Sequence, residues 1–201
     1  MLNKNTKIVL LIIFFAVLIW SGICPKGYDI WLLEVTPALI ALGIVVATHK
    51  RFELTGLAYV LILIHCIILM VGGKYTYAEV PIGDWIAEML GHTRNNYDKL
   101  GHFAQGFIPA IVAREILIRR SVLNKKGWLN FIVVSICLAF SAFYEFIEWW
   151  VALLSDEAGD AFLGTQGYVW DTQSDMAMCM IGSIMALVLL TKLHDRQLSK
   201  W

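Results

Sequence analysis

Apolar residues run along this chain in long blocks, and short polar intervals separate the blocks from one another. A hydrocarbon layer of about 30 Å needs about 20 consecutive apolar residues of helix to cross it. Stretches of that order fall at 8–23, 30–48, 54–72, 99–118, 128–154 and 171–193. The pattern predicts an all-α fold, a six-transmembrane-helix bundle in which residues 1–201 form one integral-membrane domain with short tails. Lys4 and Lys7 before the first block would also suit a signal peptide, but no small-x-small cleavage site follows, so the block is read as a span.

The interval 73–98 is long for a turn. Within it Val80, Ile82, Trp85, Ile86, Met89 and Leu90 recur near helical spacing opposite Asp84 and Glu88, with Pro81 at the start. This predicts a short amphipathic helix lying on the outer surface between the third and fourth spans. Orientation follows from Lys and Arg, which concentrate in cytoplasmic connections. With the N-terminus inside, that side holds eleven: Lys4, Lys7, Lys50, Arg51, the Arg119-Arg120 and Lys125-Lys126 pairs, Lys192, Arg196 and Lys200. The other side holds four, Lys26, Lys74, Arg94 and Lys99, while Arg114 is expected to snorkel to the inner interface. The connection 155–170 carries Asp156, Glu157 and Asp160 with no Lys or Arg, which also suits the outside. Both termini are therefore expected in the cytoplasm.

Composition agrees with the blocks and narrows the function classes. The 201 residues are 59% hydrophobic and 16% charged, with a mean hydropathy of +0.68, outside the range of soluble domains. Sixteen Lys and Arg balance sixteen Asp and Glu, so no basic surplus exists to hold nucleic acid, and membrane lipids are the expected partners. Cys24, Cys66, Cys137 and Cys179 lie in or beside apolar runs without metal-ligand spacing and read as small packing residues. The tryptophans, with Tyr168, are expected to form interfacial belts.

The last three spans carry polar residues that the first three mostly lack. An ionisable group at a helix centre costs about 2.5–3.5 kcal/mol on insertion scales, so such groups face a cavity or a partner. Asp98, His102 and Gln105 are spaced i, i+4, i+7 in the fourth span; Ser141, Glu145 and Glu148 repeat that spacing in the fifth. Asp171 and Asp175 stand i, i+4 apart in the sixth, after the Gly- and aromatic-rich loop containing Gln166. Under the expected topology all three stripes lie near the outer leaflet, and Glu34 in the second span is at the same depth. They would converge on one pocket, with Gly101, Gly106 and Gly167 allowing close backbone approach and Lys99 neutralising part of the charge. Taken singly, Asp98 and Asp171 also suit helix N-caps, and His102 a buried hydrogen-bonding histidine. His49, His65, His92 and His194 lack ligand-spaced partners and are assigned no chemistry.

Oxygen ligands with one imidazole suit Mg²⁺, Mn²⁺, Zn²⁺ or non-haem iron. Asp98, His102, Asp171 and Asp175 are the candidate metal ligands, Glu145 and Glu148 the candidate catalytic carboxylates, and Gln105, Gln166 and Glu34 further polar members of the site.

Four segments carry a family resemblance. They are the run from Tyr97 to Phe107, Arg114-Glu115, the Glu145-Phe146-Ile147-Glu148 motif, and the run from Gln166 to Met176. In that order the chain resembles the bacterial inner-membrane YjdF family from its first helix to its last. The Asp98-Lys99-x-x-His102-Phe103 segment is also similar to the opening motif of VanZ-like membrane proteins. The resemblance implies a multi-pass protein of the bacterial inner (cytoplasmic) membrane and supplies no reaction. Three functions remain open: a metal-dependent enzyme acting on a lipid or other envelope amphiphile, a small ion- or proton-coupled transporter, and a non-catalytic membrane scaffold or resistance factor.

Overall fold

In the computed structural model, residues 2–124, 126–154 and 165–200 are described, and within them regular structure is entirely helical. Seven α-helices follow in order: α1 Lys4–Gly22, α2 Tyr28–Thr48, α3 Gly56–Tyr75, α4 Pro81–Met89, α5 Tyr97–Arg119, α6 Leu129–Leu154 and α7 Asp171–Leu198. Five of them, α1, α2, α3, α6 and α7, are long and apolar enough to cross a membrane. At 23 residues α5 matches them in length but carries Asp98, Lys99, Arg114, Glu115 and Arg119. The acidic connection at Asp156–Asp160 and Lys125 lie outside the described residues.

Local chemistry sets several ends. Asn3 accepts the Thr6 amide 2.8 Å away, so α1 begins before the apolar block that predicted it. Thr55 caps α3, and Pro81 opens α4, where its missing N–H costs nothing. Neither Asp98 nor Asp171 is an N-cap: each lies inside its helix, behind Asn96 and Trp170, and is free for other work.

The helix exteriors are apolar and the interior is partly charged, the reverse of a soluble bundle. Ile12, Ile40, Phe131, Phe140 and Val188 are exposed, whereas Glu34, Asp98, His102, Arg114, Glu115, Glu145, Glu148, Asp171, Asp175 and His194 are buried. At the centre α5 packs against α7, α6 and α3, and α3 holds α1 and α2. The closest crossing is between α5 and α7. A β-carbon at Gly106 would meet the Cys179 carbonyl, and one at Gly182 would meet the Phe103 carbonyl, so both positions need glycine. Around this crossing lies the mid-bundle core: Ala104, Ile108, Ala110, Ile111, Val133, Cys137, Cys179 and Ala186, all buried.

Polar groups gather at the two ends of this apolar layer. At one end Glu115, fully buried, accepts from the Thr55 amide at 2.9 Å, the Thr55 hydroxyl at 2.7 Å and Arg119 at 2.7 Å. Arg114 is buried beside it and pairs with Asp195 at 2.6 Å, so it does not snorkel to the interface; a partner on α7 replaces water. The opposite end holds the starts of α5 and α7, the end of α6 and the acidic residue of α2. It also carries α4, whose Ile82, Trp85, Ile86 and Met89 are exposed while Gly83 and Ala87 face the protein.

Candidate functional site

The helical stripes on α5, α6 and α7 meet because α5 touches both of the others at this end. His102 Nε2 lies 3.4 Å from Asp98 Oδ1 on its own helix and 3.7 Å from Glu145 Oε1 on α6. Asp98, His102 and Asp175 form one group in which single ligand atoms all lie within 4.8 Å; His102, Glu145 and Glu148 form a second. His102 belongs to both, and every member is buried.

The His102 contacts are compatible with a weak hydrogen bond to Asp98 and with ligation of an ion. Distances of 3.4 and 3.7 Å are long for an N–H···O bond. Ligand atoms each about 2.1 Å from one tetrahedral ion would themselves stand about 3.4 Å apart. The imidazole is orientated for the purpose, since Nδ1 lies 3.2 Å from Gln105 Oε1. With Nδ1–H donating to Gln105, the Nε2 lone pair faces the carboxylates, and Gln105 acts by holding that tautomer. Glu145 Oε1 and Ser141 Oγ are buried without a hydrogen-bond partner among the described residues.

Asp171 and Asp175 sit at the same depth with different neighbours. Asp171 Oδ1 accepts from Lys99 Nζ and from Arg94 NH2, the latter at 2.5 Å, while Oδ2 has no partner among the described residues. Asp175 accepts from Lys99 at 2.7 Å and also reaches the His102 group, so it bridges the ion pairs and the carboxylate cluster. Gln166 is drawn away from the cluster: it accepts the Asn95 amide at 3.1 Å and donates to the Asn95 carbonyl at 2.8 Å. This two-point clamp joins the loop before α7 to the loop before α5. Gly101 receives the Tyr77 ring instead of a backbone, and Gly167 serves a turn at φ +79° with no neighbour within 4 Å. Of the three glycines expected to allow close backbone approach, only Gly106 does so.

A cavity of about 80 Å³ extends the site toward α2 and α3, lined by Glu34, His65, Tyr77, His102, Tyr144 and Glu148 among others. Tyr144 Oη is 3.5 Å from Glu34 Oε2, and the Tyr144 ring stands edge-on to His102 at 6.2 Å. Tyr77 enters from the turn after α3 and is seated against Gly72 and Gly101. Burial pushes its phenol well above its usual pKa, and the Glu34 carboxylate adds to the rise, so the hydroxyl stays protonated.

Sequence spacing missed His65, Tyr77, Tyr144 and Arg94. His65 stands alone in an apolar span and Tyr77 in a loop, so neither belongs to a stripe. Tyr144 had a signal, its i, i+4 relation to Glu148, but reads as another aromatic in an aromatic-rich helix. Arg94 counted only as an outside charge. Trp31 also departs from the expected belt, turning inward to donate from Nε1 to Ser21 Oγ at 3.0 Å.

Comparison with known proteins gives one family. A family model described as Predicted membrane protein (DUF2238) matches residues 6–196. Inner membrane protein YjdF of Escherichia coli (strain K12) is 50% identical over 185 residues, which cover 92% of this chain and 88% of that protein. No solved structure matches.

Proposed function

The chain belongs to the DUF2238 family of membrane proteins and is a multi-pass protein of the bacterial inner membrane, and from that premise we propose that its buried acidic and histidine cluster is a divalent-metal site of an enzyme acting on a membrane amphiphile. In this reading residues 1–201 are one membrane domain in which α5 also crosses, as the fourth of six spans, both termini are cytoplasmic, and α4 rests on the outer surface. The site then opens at the outer leaflet. The uneven distribution of Lys and Arg supports that orientation, and the exposed apolar face of α4 suits a place at the lipid boundary.

The observation that carries the proposal is that two carboxylate groups, Asp98 with Asp175 and Glu145 with Glu148, share one imidazole, His102, whose Nε2 faces Asp98 and Glu145 and whose Nδ1 lies against Gln105. One nitrogen and several carboxylate oxygens suit Mn²⁺, Fe²⁺, Zn²⁺ or Mg²⁺. Such an ion would polarise a substrate oxygen or lower the pKa of bound water, and a carboxylate left outside the coordination sphere, Glu148 or Glu145, would move the proton. Asp171 is better matched to charge balance, because Arg94 and Lys99 already occupy it.

Two features weigh against the other readings. A transporter would need a polar route along α5, but from Gln105 to Arg114, about 14 Å of helix, the buried cluster packed around it is mainly apolar, with the hydroxyls of Ser141 and Ser183 as the polar groups buried on the neighbouring helices. A network that served only to lock helices would satisfy its own hydrogen bonds, whereas Glu145 Oε1, Ser141 Oγ and Asp171 Oδ2 do not.

The test is elemental analysis of detergent-purified protein beside His102→Asn and a Glu145→Gln, Glu148→Gln double variant, after growth with added Mn²⁺, Zn²⁺ and Fe²⁺ and purification without chelator. One metal per chain in the parent and little in either variant supports the site. A parent without metal, or variants that keep it, overturns the proposal.

A further inference from the structure

Beside the carboxylate cluster a second hollow opens on the flank where α5 and α7 meet. It is a groove of about 430 Å³ walled by Arg94, Asn96, Lys99, Tyr168, Ser174, Ala177 and Met178. Among the described residues, its charged wall residues are two cations. The carboxylates that pair with them, Asp171 and Asp175, are buried behind the wall and do not line it. Tyr168 closes one side, with the Arg94 guanidinium 5.3 Å and the Lys99 ammonium 5.9 Å from its ring centroid. Arg94 uses NH1 on the Thr165 carbonyl and NH2 on Asp171, and its Nε has no partner among the described residues.

The other half of the groove is apolar and continuous with the outside of the bundle. Ser174, Ala177 and Met178 share a face of α7 with Ile181 and Met185, and those last two are exposed. One end of the groove therefore offers cationic hydrogen-bond donors, paired on their inner side with Asp171 and Asp175, and the other runs along a helix flank whose side chains suit hydrocarbon. An anionic amphiphile matches both halves; a free anion matches one.

We infer that this groove seats a membrane lipid, its phosphate between Arg94 and Lys99 and its hydrocarbon chain along Ala177 and Met178. The assignment rests on the reading above, because it supplies the substrate class for that site and places the headgroup beside Asp175, the carboxylate shared with the His102 group. Arg–phosphate and Lys–phosphate contacts are charge-assisted and give the headgroup its preference; the apolar flank gives the preference for a lipid over its head alone.

Binding is read as the thermal shift of detergent-purified full-length protein with added phosphatidylglycerol, phosphatidylcholine, glycerol 1-phosphate or inorganic phosphate, with bound metal measured on the same samples. Two variants accompany the parent: Arg94→Gln, which removes one headgroup cation, and Ala177→Trp, which fills the apolar half without touching an ion pair. Phosphatidylglycerol should half-saturate at a concentration about tenfold lower than phosphatidylcholine, as expected for one charge-assisted contact set. The two water-soluble phosphates should bind far more weakly, and Ala177→Trp should abolish the lipid effect while keeping its metal. Equal response to the two lipids, equal response to inorganic phosphate, or unchanged binding in Ala177→Trp overturns the inference. If Arg94→Gln does not fold, Ala177→Trp decides alone. Lipid selectivity in a protein without metal would remove the metal reading and leave the groove, whereas metal without lipid selectivity would do the opposite.

Discussion

His194 stands between Arg114 and Glu115, its Nδ1 3.0 Å from Arg114 NH1 and its Nε2 3.1 Å from Glu115 Oε2. The donor pattern fixes the tautomer. An arginine N–H can only donate, so Nδ1 accepts and Nε2–H donates to the carboxylate. A neutral ring thus relays hydrogen bonding from a cation to an anion, with His194 and Glu115 both fully buried. It ties the last part of α7 to α5, and through Glu115 to the Thr55 cap of α3. His194→Ala should therefore lower stability by about 2–4 kcal/mol, the range for breaking a buried polar network. Thermal unfolding checks this. Metal content should be unchanged, since the network lies at the other end of the bundle from His102.

Asp171 and His102 should separate by readout. Asp171→Asn leaves Arg94 and Lys99 with less buried negative charge, so it should cost about 2–4 kcal/mol of stability as a broken buried ion pair does. Its metal content should fall much less than that of His102→Ala. A folded Asp171→Asn protein that has lost its metal as completely would make Asp171 a ligand.

The α5–α7 crossing gives a packing prediction. At Gly106 even alanine would press its β-carbon on the Cys179 carbonyl, and neither backbone can move without disturbing the buried layer around it. Gly106→Ala should cost about 1–3 kcal/mol, as overpacking does, and should weaken metal retention by parting Asp175 from His102. Gly43, which has open space where a β-carbon would stand, is the control, and Gly43→Ala should be neutral or slightly stabilising. Unfolding midpoints of the two variants, compared in one detergent, test the contrast.

If the site is that of an enzyme, as proposed, no proton route along α5 is expected. Proteoliposomes containing the protein should show no pH-driven dye response above that of empty vesicles. A response abolished by Glu115→Gln would reopen the transport reading.

Orientation is tested in intact cells. In a Cys24→Ser background, Glu88→Cys on α4 should react with a membrane-impermeant maleimide, and Lys200→Cys should react only after permeabilisation. The reverse pattern would place the His102 site on the cytoplasmic side.

The helical spans and the stripe on α5 were legible because polarity repeated at helical spacing against an apolar background: His102 falls one turn after Asp98, and Glu148 one turn after Glu145. Which stripes face one another was a matter of packing, set by Gly106 and Gly182 bringing α5 onto α7. Periodicity cannot register a single polar residue. His65 stands alone among apolar neighbours and His194 in a charged helix end that reads as solvated, yet one lines the cavity and the other centres a network assembled from α3, α5 and α7. Arg114 misled for a related reason. Its place near a span end predicts solvent, and only the partners Asp195 and His194, about 80 positions later, keep it inside. For Gln166, read from sequence as a polar member of the site, the structure adds partners that spacing could not name, the amide and carbonyl of Asn95.

The pairing of α5 with α7 bears on how the chain enters the membrane during synthesis. Two of the charges of α5, Lys99 and the buried Arg114, find their partners on α7, the last helix made. Until α7 arrives, α5 is a marginally hydrophobic segment carrying unpaired charge, and α6 offers only Glu145 and Glu148, which add to the problem. Membrane integration of α5 is therefore completed late, by α7, and truncation before Asp171 should release α5 from the bilayer even though its own sequence is intact.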